Sequence, residues 1–152
     1  MPTTIIQLVL QRYWRFSRGL LLSVAALVRD AEGRVLLCRE AAAATPEWRL
    51  PRGDVLSGED VEAAMQRILA ACGLPASTDR ATAFAIYADQ SRSHAEHVTL
   101  LTARLPTLRT SPIRGSREWQ MFAVDDLPAV IDPPSRRRIE EVTGLREVAE
   151  FW

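Results

Sequence analysis

Cysteine is scarce in this chain: it has two, Cys38 and Cys72, both inside apolar stretches, with no CxxC and no Cys/His ligand spacing. That usage excludes a disulfide framework and a zinc knuckle, and it predicts buried free thiols in a reducing compartment. An excess of charge of either sign is also missing. Nineteen basic and nineteen acidic side chains cancel to a formal net charge of zero. No global field therefore draws the chain to nucleic acid or an anionic membrane, and a charged ligand must be met locally. A long uninterrupted hydrophobic run is absent as well. The opening Met1-Pro2-Thr3-Thr4 has no basic n-region, and Gln7, Gln11, Arg12, Arg15 and Arg18 break the apolar stretch that follows. Neither a signal peptide nor a spanning helix is expected, and the location read from the sequence is cytoplasmic. Internal repeats and linker composition are missing too. With 152 residues, 47% of them hydrophobic, the chain has material for one domain with one core. The most consequential absence is local: from Ala63 through Thr78 there is no Asp or Glu.

What is present reads as alternating strands and helices. Ile6, Val9, Tyr13 and Phe16 recur at helical spacing before Gly19. This predicts an N-terminal amphipathic helix over residues 1–19, packed on a domain of residues 20–152. The apolar runs Leu20 to Val28 and Arg34 to Arg39 flank Asp30-Ala31-Glu32-Gly33, a β-hairpin signature. Pro46 ends the alanine-rich stretch, and Trp48-Arg49-Leu50 reads as a short strand entering Pro51-Arg52-Gly53. Glu59 to Ala71 is the clearest helix, with Ser57, Glu59 and Asp60 at its start and Gly73 and Pro75 at its stop. Val61, Met65, Ile68, Leu69 and Cys72 share its apolar face. Strands are expected at Thr82–Tyr87, Val98–Ala103 and Trp119–Val124, the first two joined by a solvent-facing polar loop from Asp89 to Glu96. A turn region spans Pro112 to Ser116. Ser135 to Val142 reads as a last helix capped by Ser135 and ended near Gly144. The pattern is α/β or α+β in layers.

From Gly53 the chain runs Gly53-Asp54-Val55-Leu56-Ser57-Gly58-Glu59, a glycine followed after five residues by a glutamate. Its neighbours are the strand-turn-strand around Asp30 to Gly33, the approach Trp48-Arg49-Leu50-Pro51, Glu62-Ala63-Ala64 inside the helix, and a late Phe122-Ala123-Val124-Asp125-Asp126-Leu127-Pro128. Together these resemble the Nudix hydrolase superfamily over roughly Leu20 to Glu141. The resemblance implies a mixed β-sheet sandwiched between helices. It further implies hydrolysis of a nucleoside diphosphate linked to another moiety, through magnesium or manganese held by a carboxylate-rich helix.

Those cations prefer about six hard oxygen donors, so the chemistry requires acids at the helix. Without a gap, Arg67 falls on the motif arginine, while Ile68, Ala71 and Cys72 fall on the three glutamates. With a one-residue deletion, Gly73 falls on the terminal glycine, while Gln66, Arg67, Ala70 and Ala71 replace the arginine and the acids. Neither register restores a ligand cluster. The acids that remain near the motif are Asp54, Glu59, Asp60 and Glu62. Glu59 and Glu62 are three apart and can share a face, so they are the candidate metal ligands. The helix dipole explains Asp60 and Glu62 equally well. Glu59, Glu62 and Glu118 are the candidate catalytic acids, with Asp89 as another remote acid. Arg52, Gly53, Trp48 and Arg67 are the candidate substrate contacts, Arg52 as a guanidinium for phosphate and Trp48 as a stacking surface beside the loop.

Other features have plainer explanations. His94 and His97 beside Glu96 read as solvated or capping side chains. Arg136-Arg137-Arg138, followed by Glu140 and Glu141, reads as a solvated helix face and not a nucleic-acid site. The N-terminal helix, with Tyr13 and Trp14 near Arg12 and Arg15, covers the domain's own apolar surface in the simplest account. A membrane surface or a second copy of the chain are the alternatives, of which only a homodimer is retained. Two functions follow. One is a hydrolase, using Mg2+ or Mn2+, that draws acids from Glu59, Glu62, Asp89 or Glu118. The other, favoured by the missing trio, is a binding module for a small nucleotide derivative with conventional turnover absent or strongly impaired and no cofactor needed.

Overall fold

The computed structural model describes residues 21–74, 79–91, 96–105 and 117–152. The expected N-terminal helix, His94 and the Pro112 to Ser116 turn lie outside them. The first strand, β1 (Leu21–Arg29), explains the rest of the architecture. Its run LLSVAALVR is apolar at successive positions rather than alternating, the mark of a strand covered on both faces. Val24, Ala26 and Val28 enter one core cluster, while Ala25 and Leu27 enter the other. Each fully buried valine or leucine there contributes about 1.5–3 kcal/mol.

The hairpin expected around Asp30 forms. Asp30 Oδ1 accepts from Glu32 N and Arg34 N, Gly33 takes a φ of 79°, and β2 (Val35–Glu40) returns antiparallel. Further along come β3 (Arg52–Asp54), α1 (Val61–Ala71), β4 (Thr82–Asp89), β5 (Glu96–Arg104), β6 (Arg117–Phe122) and α2 (Pro133–Val142). The sheet is mixed and six-stranded, ordered β4-β5-β1-β2-β6, with β3 paired to β1 off that path. Strand β5 runs parallel to β1 along its whole length, from Leu21 opposite Glu96 to Arg29 opposite Arg104. α1 packs Ala64, Met65, Ile68 and Leu69 against one face of the sheet, and α2 packs Ile139 against the other. The sheet sandwiched between helices is the fold that the sequence implies.

Several local expectations change. The short strand is Arg52–Asp54 and not Trp48–Leu50; Trp48 and Arg49 make only isolated bridges, to Ile131 and Cys38. The reason is the other edge of β1. Strand β2 meets it at the hairpin end, Arg29 opposite Val35, and β3 takes the first half, Ser23 opposite Asp54. The 48–54 segment fills the wedge left between β1 and β2, where Pro51 O accepts from Ala26 N and Arg49 pairs with Cys38 through both backbone groups. Strands β4 and β5 extend through Asp89 and from Glu96, residues expected in a solvent-facing loop. Both are buried, because each carboxylate meets Arg52.

Asp60 caps α1 through Ala63 N, within the expected helix start. For α2 the cap is Asp132, with Pro133 and Pro134 in the first turn; Ser135 instead donates its hydroxyl to Asp132 and accepts Leu50 N. The arginine run is not a solvated face throughout. Arg138 is wholly buried, ion-paired to Glu141 at 2.7 Å and lying over the Tyr87 ring at 4.1 Å. Trp152 N donates to Ala88 O, and its ring packs edge-on to Tyr87.

Gly53 is required for packing rather than for its backbone angles. A Cβ there would sit 3.0 Å from Ile68 Cγ1, so β3 and α1 approach at glycine distance. Gly53→Val should lower stability by about 1–3 kcal/mol through overpacking. Adding Ile68→Ala should recover part of that loss; urea unfolding of the two single variants and the double variant measures the coupling.

Candidate functional site

The segment after β3 turns back onto α1 through one arginine. Arg67 Nε donates to Glu59 Oε1 at 2.9 Å, and its Nη2 donates to Glu59 Oε2 at 2.9 Å and to the Asp54 carbonyl at 2.6 Å. Glu59 Oε2 also accepts from Leu56 N at 3.0 Å. The side-chain hydrogen bonds from Arg67, with that backbone bond, hold the Glu59 carboxyl down at about 2. Both oxygens of Glu59 are therefore engaged by the loop and the helix it joins. Glu62, one turn on, accepts from Ala81 N at 3.4 Å. Glu118 lies on β6, where it accepts from Arg39 Nε at 2.6 Å.

The three candidate acids thus occupy three different contacts. Gly53, Glu59 and Arg67 are brought together; Glu118 is not among them. Among the described residues no group of three or more His, Cys, Asp or Glu side chains is placed to hold a metal ion. Ile68 is buried against Gly53, Ala71 faces solvent, and Cys72 is buried. This donor set does not fit magnesium or manganese, which would need oxygens where carbon and sulfur stand.

Arg52 points to the sheet end. Its Nη2 donates to Asp89 Oδ2 at 2.7 Å and Glu96 Oε1 at 2.9 Å, and its guanidinium lies 5.0 Å from the Trp152 ring centre. Burial pushes the Asp89 carboxyl up, but Ser91 and Arg52 together outweigh it and hold it at about 2. Trp48 is largely buried, edge-on to Phe122 with rings 4.9 Å apart, and Arg39 covers it at 4.5 Å. It borders a shallow hollow with Pro46 and Val130.

A pocket of about 220 Å³ opens in the wedge between β2 and β3 and reaches the end of α1. Its cations are Arg39, Arg49, Arg52 and Arg117, against Glu40 and Glu47. Two of those arginines are loosely held: Arg49 stands 3.9 Å from Glu47 and Arg117 3.4 Å from Glu40, with about half of each side chain exposed. Sequence reading did not single out Arg49 or Arg117. Spacing offered no signal, since they converge only through the wedge and the β2–β6 pairing of Glu40 with Arg117. Cys38 and Cys72 line the same pocket and belong to one buried cluster. The bond from Cys38 and the nearby Arg117 guanidinium draw the Cys72 thiol down against its burial. The same bond and burial push Cys38 up.

The mixed sheet between two helices, with a glycine-to-glutamate loop clamped onto the first, is the layered arrangement that the sequence resemblance implies. The NUDIX domain model matches residues 19–142, and the chain belongs to that family. No curated protein matches it. Among solved structures, the MutT NUDIX hydrolase from Burkholderia pseudomallei is 24% identical with a TM-score of 0.62, covering 80% of this chain and 97% of that one. The NUDIX domain of Shewanella oneidensis NrtR, solved with ADP ribose, is 19% identical with a TM-score of 0.63, covering 84% and 88%. RenU, a Nudix hydrolase from M. smegmatis, is 25% identical with a TM-score of 0.57, covering 87% and 89%.

Glu59 and Asp89 give the fold an acid limit. Each folded-state carboxyl sits at about 2, below its ordinary value of 4.5 or 3.8. Their stabilisation is complete above the ordinary value and is lost as pH falls through the folded one. Urea midpoints should therefore decline between about pH 5 and pH 2, and Glu59→Gln or Asp89→Asn should flatten that decline.

Proposed function

We propose that this chain is a cytoplasmic binding module for a small nucleoside diphosphate derivative, on a scaffold whose ancestral metal-dependent hydrolysis is absent or strongly impaired. The observation that carries the reading is the two-pronged pair between Arg67 and Glu59. It favours the ungapped register, in which Gly53, Glu59 and Arg67 keep the motif's spacing. Ile68, Ala71 and Cys72 then take the positions of its three glutamates. Without those oxygens the site lacks the several kcal/mol of Lewis-acid stabilisation that such a metal supplies to the transferring phosphorus.

The arginine-lined pocket supports binding without a metal. Guanidinium groups recognise phosphate oxygens in pairs, and Arg49 and Arg117 are free enough to leave weak carboxylate partners for a stronger anion. At about 220 Å³ the pocket suits a diphosphate with part of a sugar more than a whole dinucleotide. Arg52 and Arg67 act by position: one fastens β3 to the ends of β4 and β5, the other fastens the loop to α1. That the NrtR domain was solved with ADP ribose makes this compound the first ligand to try.

Calorimetric titration of ADP-ribose, with magnesium and then with chelator, should give the same affinity in both, and a panel of nucleoside diphosphate derivatives should release no phosphate. Magnesium-dependent turnover would refute the reading and return the chain to the hydrolases. Arg49→Ala and Arg117→Ala should each weaken binding by about tenfold or more, the worth of one charge-assisted contact. Ala71→Glu with Cys72→Glu should raise magnesium affinity, whereas Ala70→Glu with Ala71→Glu should not; the reverse order would mean that the gapped register is the true one.

A further inference from the structure

The pocket floor carries chemistry that binding a phosphate does not use. Cys38 comes from β2 and Cys72 from the end of α1, thirty-four positions apart in sequence, yet both line the pocket and both are free thiols. Each keeps 6% of its surface exposed. They are hidden from large reagents and open, through the pocket, to small ones. We propose that Cys38 and Cys72 are a reversible oxidation site, a dithiol that a small hydroperoxide converts to an intramolecular disulfide across the pocket floor.

Three features of the surroundings support this. Both thiols belong to one buried cluster and one pocket, which Arg117 also lines, and Trp119, the cross-strand partner of Cys38, has its Nε1 3.8 Å from where a Cβ on Gly73 would sit, next to Cys72. A guanidinium next to a thiol favours the thiolate, the form that reacts with peroxide. On the core side the neighbours are apolar, Leu36, Ile68 and Leu69 of the same buried cluster, and no third thiol lies among the described residues. Finally, Cys72 is the C-cap residue of α1, followed by Gly73 at a φ of 86°. The sulfurs must close to about 2.05 Å. The last turn of a helix, before a glycine hinge, is where such a shift costs least.

The chemistry balances with the peroxide as sole oxidant. The Cys72 thiolate attacks one peroxide oxygen, the O–O bond breaks, and hydroxide leaves with a proton as water, giving a Cys72 sulfenic acid. The Cys38 sulfur then attacks the Cys72 sulfur; the S–S bond forms, the S–O bond breaks, and the departing hydroxide takes the Cys38 proton as a second water. Two thiols have lost two electrons, and the peroxide has gained them. A dithiol reductant reverses the result by exchange.

The test uses the full reduced chain and hydrogen peroxide at a modest molar excess. Expected are an intact mass lower by two hydrogens, loss of both maleimide-reactive thiols, a proteolytic fragment pair joined through Cys38 and Cys72, and full reversal by dithiothreitol. Cys38→Ser should stop at the sulfenic acid, trapped on Cys72 by dimedone; Cys72→Ser should leave Cys38 slow to react. The wild-type measurement stands whether or not the variants fold. Two thiols that survive peroxide in the folded chain, disulfides formed only between chains, or over-oxidation of Cys72 beside an intact Cys38 would each overturn the proposal.

Discussion

Strand β1 has two edges and three partners, and that mismatch organises the molecule. One edge is consumed along its whole length by β5. The other is divided, its end going to β2 and its beginning to β3, so β2 must diverge to complete its pairing with β6. A divergence between two strands would leave backbone groups unpaired in the middle of a sheet. The 48–54 segment answers that demand by bonding to both sides of the wedge. The pocket opens where this filling is incomplete, so the feature that makes the sheet irregular also makes the cavity.

Arginine–carboxylate contacts hold the irregular parts where backbone pairing does not reach. Arg67 joins loop to helix, Arg52 joins β3 to the ends of β4 and β5, and Arg138, paired with Glu141 inside α2, also donates to the carbonyl of Phe151. Where the carboxylate is buried, as for Arg52 with Asp89 and Glu96 and for Arg138 with Glu141, removing the arginine is costly because a buried charge loses its counter-charge, even where the intact pair adds little net stability. These contacts therefore specify position more than they supply energy. They also separate two classes of arginine: Arg52 and Arg138, committed to buried carboxylates, and Arg49 and Arg117, which stand half-exposed in the pocket beside the exposed carboxylates of Glu47 and Glu40.

Much of the fold was legible because its signals are local. The hairpin followed from Asp30 to Gly33, and the apolar face of α1 followed from Val61, Met65, Ile68, Leu69 and Cys72. The absence of Asp and Glu from Ala63 through Thr78 was visible as a plain run of letters. What escaped were arrangements set by long-range pairing. Asp89 and Glu96 have the composition of a polar loop, yet both are buried at strand ends and both meet Arg52, thirty-seven and forty-four positions away. Arg138 looked like one member of a solvated run, because nothing near it in sequence announces the Tyr87 ring beneath it. Ser135 has the right chemistry for a cap, yet Asp132 takes the position because two prolines favour the first turn that follows it. The contact between Arg67 and Glu59 likewise joins residues eight positions apart that no spacing rule pairs.

All nineteen basic side chains of the chain are arginine. A guanidinium stays charged at any pH a protein survives, so none of these ion pairs can be broken from its cationic side. The protein is thus asymmetric toward its medium. Acidification reaches the contacts that hold its loops through their carboxylates, while alkalinity leaves those contacts intact. Reagents that modify amines find no side chain to attack. The same composition leaves the chain without the residue most often acetylated or ubiquitinated in cells, so control by those routes is closed along its length.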